Sequence, residues 1–71
     1  MDDNDISLFL MMNEPAFEWA GKQYSVCCPA DGIFSTWDSD GNTLDFSDIK
    51  SLLDYWIVGG KPFRDVVRSI M

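Results

Sequence analysis

The chain has 71 residues, enough for one small domain, and 46% of them are apolar, which excludes a disordered polymer despite its charge. Twelve acids against five bases give a net charge of −7, and there is no histidine. Residues 1–60 carry eleven acids and two lysines, a charge of −9, whereas residues 61–71 carry +2. Such a surface repels a phosphate backbone and disfavours direct nucleic-acid binding; it suits a basic protein partner, or serves solubility alone.

The N-terminal Met1-Asp2-Asp3-Asn4-Asp5 is acidic where a signal peptide would be basic, and Leu8–Met12 is far too short to span a bilayer. The expectation is a cytoplasmic protein with no membrane partner. Asp2, Asp3 or Asp5 can cap a short first helix whose apolar stripe is Ile6, Phe9 and Leu10. Leu8, Met11 and Met12 widen that stripe, so this helix is either sandwiched in the core or presented to another chain. Asn13 and Pro15 end it.

Ala16–Ala20 and Gln23–Cys28 flank Gly21-Lys22, which reads as a hairpin with a II′ turn. A two-residue loop there places Trp19 opposite Tyr24 and Phe17 opposite Val26, all four on one face. Glu18 and Ser25 then oppose each other on the wetter face. Adjacent Cys27 and Cys28 point to opposite faces of a strand, one thiol buried and one more exposed, both reduced. Two cysteines without histidine make a poor zinc site.

Pro29-Ala30-Asp31-Gly32 reads as a turn, Ile33–Trp37 as a third strand, and Thr43-Leu44 as a brief fourth. Between them lies the polar tip Asp38-Ser39-Asp40-Gly41-Asn42. A calcium loop starting at Asp38 would need a glycine sixth and a carboxylate twelfth, but Thr43 and Ile49 stand there. The tip is therefore read as a hairpin end followed by a helix cap. Asp45 is the expected cap of the main helix, with Asp48 three residues on.

That helix carries Phe46, Ile49, Leu52, Leu53 and Trp56 at helical spacing. Gly59 is placed to end it, although Ile57-Val58 can equally be a short extended segment. Past Gly59-Gly60, Pro62 suits a first helical turn, and Phe63, Val66, Val67, Ile70 and Met71 form a second stripe. Lys61, Arg64 and Arg68 line its opposite face. The fold expected for residues 1–71 is one α+β domain, a small antiparallel meander of three to four strands. An amphipathic helix packs it, and short helices stand at both ends.

Catalysis has little to stand on. Acid–base chemistry near neutral pH usually recruits histidine, no base is evident beside either cysteine, and Gly59-Gly60-Lys61-Pro62 lacks P-loop spacing. The expectation is a protein that is not an enzyme and needs no cofactor or metal.

The order of segments resembles that of small uncharacterised proteins of prophages and mobile elements in Gram-positive bacteria. The residues that carry the resemblance are Gly21-Lys22-Gln23-Tyr24-Ser25-Val26, then Phe46-Ser47-Asp48-Ile49-Lys50-Ser51-Leu52-Leu53. Gly60-Lys61-Pro62-Phe63-Arg64-Asp65-Val66-Val67 closes the match. It implies a small sheet packed by helices and a mobile-element setting, and it brings no catalytic or binding residue with it. Together with the charge, it leads to the expectation of a non-enzymatic acidic interaction protein whose partner has a basic surface. One concrete form is inhibition of a host nucleic-acid-binding defence protein, a CRISPR effector or a restriction enzyme. Asp38, Asp40, Asp45, Asp48 and Asp54 would then occupy sites normally taken by phosphates. The alternative is a small structural protein that self-associates, as a homodimer or larger assembly, through Leu8–Met12 or its basic last helix.

Overall fold

The computed structural model describes residues 2–30 and 32–71. Four antiparallel strands lie in chain order, β1 (Ala16–Trp19), β2 (Lys22–Ala30), β3 (Ile33–Asp38) and β4 (Thr43–Phe46). The helices α1 (Asp3–Asn13), α2 (Ile49–Tyr55) and α3 (Phe63–Ile70) complete the α+β fold, together with a two-residue hairpin, β5 (Ile57–Val58) and β6 (Lys61–Pro62). One core joins Ile6 and Leu10 of α1, Leu52 and Leu53 of α2, and Phe63, Val66 and Val67 of α3 to Tyr24, Val26 and Phe34 of the sheet. The helices thus share the sheet face defined by Phe17, Tyr24, Val26, Phe34 and Phe46. Trp37 is exposed on the other face, where Ser25 and Thr43 are its neighbours across the strands.

Helix α1 starts at Asp2, whose carboxylate accepts from the Asp5 N–H at 2.9 Å. It stops where Glu14 turns left-handed (φ 41°), leaving Ile6 and Leu10 buried and Phe9 packed beside them. Leu8, Met11 and Met12 face solvent, Met12 with 81% of its surface exposed.

The first hairpin keeps its expected face but not its expected register. Its turn is Ala20-Gly21, with φ of 53° and 80°, one residue earlier than Gly21-Lys22. Two successive positive φ values describe a I′ turn, whose twist matches that of the strands it joins. Phe17 therefore opposes Tyr24, Glu18 opposes Gln23, and Trp19 opposes Lys22. Phe17 and Tyr24 stack with ring centroids 5.5 Å apart. Strand β2 then runs through Pro29 and Ala30, which the sequence suggests as turn residues; the pairing with β3 slips between Cys27 and Ala30. Asp31, the third residue of that expected turn, lies outside the described residues, as does Met1.

The main helix begins later than its apolar spacing implies. Phe46 pairs with Phe34 in the sheet, so β4 continues past Asp45 and the helix cannot start there. Asp48, not Asp45, is the cap, accepting from the Ser51 N–H at 2.7 Å. At the far end Trp56 leaves the helix in an extended conformation, and its carbonyl accepts from the Phe63 N–H at 2.8 Å. Gly59-Gly60 (φ 59° and 83°) is the turn of the β5–β6 hairpin, not a joint between two helices. Pro62 precedes α3 as its extended cap residue instead of sitting in the first turn, and Met71 lies beyond the helix, exposed.

Candidate interaction surface

The five aspartates Asp38, Asp40, Asp45, Asp48 and Asp54 fall into three different environments. Asp38 is not a free loop-tip charge. It ends β3 on the helix-covered face, 9% exposed, and its carboxylate accepts from the Asp40 N–H (2.9 Å), the Asn42 N–H (3.1 Å) and the Asn42 side-chain amide (3.2 Å). Burial pushes its pKa up, but these hydrogen bonds and nearby Lys22 outweigh that and hold the carboxyl below its usual value. Its two oxygens thus serve to fold the β3–β4 tip. Asp40 stands outside, 2.7 Å from the Lys22 Nζ, which also lies 3.6 Å from Asp38.

Asp54, on the solvent side of α2, accepts from the Arg64 Nε at 2.8 Å. Arg64 also donates to Asp3 at 2.9 Å, so a single guanidinium ties α1, α2 and α3 together. The hydrogen bond from Arg64 holds the Asp3 pKa down, and the bonds to Asp3 and Asp54 push that of Arg64 up. Arg64 is thereby withdrawn from the basic face that Lys61, Arg64 and Arg68 share by spacing.

Asp45 and Asp48 differ from these. Both are exposed, and among the described residues neither has a cation within ion-pair distance. Among the described residues Asp45 accepts only from the Ser35 hydroxyl, at 2.7 Å across the open sheet face. The Ser51 N–H, with smaller shares from the Ser51 hydroxyl and from the charge of nearby Lys50, lowers the pKa of Asp48. Among the described residues, no three histidine, cysteine or acidic side chains gather as metal ligands do. Cys27 is exposed and Cys28 half-buried, both free; the Cys28 N–H donates to the Glu14 carboxylate at 3.1 Å. No described helix is long and apolar enough to cross a membrane.

Comparison with protein-family models, curated proteins and solved structures finds no match to this chain. The surface itself must therefore carry the functional reading. Beside β4 it holds a feature that spacing alone does not reveal. Leu44, Tyr55 and Ile57 are 52%, 73% and 57% exposed and line one groove together with Trp56 and, at its polar end, Lys22, Asp38 and Asn42. The readable signal was an apolar residue on each side of Trp56, at Tyr55 and Ile57, that the stripe of the main helix does not use.

Three depressed carboxyls make stability acid-sensitive in a defined direction. Asp3, Asp38 and Asp48 all titrate below the ordinary 3.8 in the folded chain, so the unfolded chain binds more protons as pH falls. Their contribution is complete above the unfolded carboxyl value and is lost as pH drops through the lower folded values. The urea midpoint should therefore fall between about pH 4 and pH 2. Asp38→Asn should lower the midpoint at neutral pH and flatten that acid dependence. A midpoint equally acid-sensitive in the variant would contradict the role given to Asp38.

Proposed function

We propose that this chain is a non-enzymatic acidic interaction protein that binds a protein partner through its negative surface. The observation that carries this reading is the pair Asp45 and Asp48, exposed and without a cationic partner among the described residues, next to exposed Leu44, Tyr55 and Ile57. Carboxylates held in no ion pair, with Lys50 near Asp48 but not bound to it, stand beside apolar surface as the polar rim of a contact patch does, and a basic partner complements them. Asp40 and Asp54 extend the negative surface but share their charge with Lys22 and Arg64, so they tune association rate more than affinity. Asp38 contributes by holding the tip that displays Asp40.

The resemblance to prophage proteins supplies a setting. In it the partner is a host nucleic-acid-binding defence protein, a CRISPR effector or a restriction enzyme, and the acidic chain occupies its basic groove. Affinity purification with the tagged chain from a bacterial lysate tests the proposal. A basic protein should be retained at low salt and released at high salt; recovery of no basic protein at low salt would overturn it. A second reading, self-association, rests on exposed Leu8 and Met12 of α1. Under that reading sedimentation shows a concentration-dependent assembly that Met12→Asp abolishes, and a strict monomer excludes it.

A further inference from the structure

Strand β4 is the last strand of the sheet, and its outer edge is open. The Asn42 carbonyl accepts from the Asp38 N–H at 3.0 Å, which sets the phase of the ladder. Backbone groups alternate in direction along an antiparallel strand, so Asn42 and Leu44 bond towards β3 while Thr43 and Asp45 turn theirs outwards. Neither Thr43 nor Asp45 has another backbone partner among the described residues. An edge of this kind is a template for one more strand.

The two sides of that edge differ in chemistry. On the helix-covered side stand Leu44, Tyr55 and Ile57, the exposed apolar part of a groove whose far end holds Lys22, already paired with Asp40, and Asn42. On the open side stand Thr43 and Asp45, the latter without a cationic partner. We infer that β4 is a strand-addition site for an extended segment of the partner in which apolar and basic residues alternate. Its apolar side chains lie on Leu44, Tyr55 and Ile57; its lysines or arginines lie beside Asp45, with Asp48 two residues past the end of the strand. Backbone pairing gives the affinity, and the period of two gives the selectivity. A second copy of this chain is the poorer occupant, because two surfaces that are each strongly acidic repel. The other edge, β1, lacks such a cluster: its exposed residues are Ala16 and Glu18.

This site deepens the proposed function and rests on it. The probe is a capped hexapeptide of alternating valine and lysine, titrated into the isotopically labelled full chain at low salt and followed by amide chemical shifts. Shifts should concentrate at Thr43, Asp45, Tyr55 and Ile57. In an antiparallel pair the lysines opposite Thr43 and Asp45 exchange the backbone bonds, so N-methylation at the lysines should weaken binding at least about tenfold. Asp45→Lys and Tyr55→Ala change exposed residues and should each weaken it severalfold in a chain of unchanged fold. A valine–glutamate peptide should not bind. Equal binding of the N-methylated peptide, shifts centred on β1 or α1, or no binding of the lysine peptide would each overturn the strand-addition site. Capture of a basic protein from the lysate would still stand after such a result, so the two failures can be told apart.

Discussion

Phe63→Ala should destabilise the chain by about 3–5 kcal/mol, the usual range for a fully buried phenylalanine. Phe63 has no exposed surface and stacks on Phe17 at 5.8 Å, while its ring centroid lies 4.7 Å from that of Trp56. Phe17 in turn stacks on Tyr24, so this ring connects the sheet, the end of α2 and the start of α3. A domain of 71 residues is expected to have only about 4–11 kcal/mol of stability in total. The substitution therefore removes a large part of it, and chemical denaturation should show a midpoint shifted strongly downward or a chain already unfolded. A midpoint within experimental error of the wild type would mean that the aromatic cluster does not hold the fold together.

Gly59→Ala should be nearly as damaging, for a different reason. Gly59 has φ of 59°, and a Cβ built there would lie 2.5 Å from the Trp19 Cδ1 and 3.1 Å from the Ala20 Cβ. The left-handed backbone costs a non-glycine residue about 1–3 kcal/mol, and displacing the indole adds overpacking strain of about 1–3 kcal/mol. Gly60→Ala separates the two effects, because φ there is 83° but no atom stands within 4 Å of the added Cβ. The Gly59 variant should lose clearly more stability than the Gly60 variant. Equal losses would show that the Trp19 contact contributes nothing and that only backbone conformation matters.

The first hairpin shows which properties of this fold could be read from residue order. Phe17, Trp19, Tyr24 and Val26 are correctly assigned to one face, because alternation has a period of two and survives a shift of register by two. The same invariance hides the register itself, which depends on whether Ala20 or Gly21 opens the turn. The choice between Asp45 and Asp48 as helix cap is equally invisible locally, since each is followed directly by an apolar residue of the stripe, Phe46 or Ile49. It is decided by Phe46 pairing with Phe34 twelve residues earlier. Leu52, Leu53 and Trp56 are buried as their spacing implies, whereas β5 and β6 are too short for any period to show.

The candidate surface was less legible than the fold. Charge counting identifies five aspartates as equals, but ion pairing divides them. Arg64 reaches Asp3 across 61 positions of sequence, and Lys22 reaches the tip only because the hairpin turns one residue early. Asp38 is an interior acceptor because the last residue of β3 faces the helices, a consequence of its pairing with Tyr24. Of the five, the two held in no ion pair among the described residues, Asp45 and Asp48, lie in β4 and at the start of α2.

Competition for the captured partner addresses the central claim most directly. With the basic protein recovered at low salt, a fluorescent oligonucleotide is bound to it and this chain is titrated in while anisotropy is followed. The acidic surface acting in place of phosphates predicts displacement of the oligonucleotide, weaker at higher salt and weaker for Asp45→Asn. Binding of this chain to a partner that keeps its oligonucleotide would contradict occupation of the basic groove.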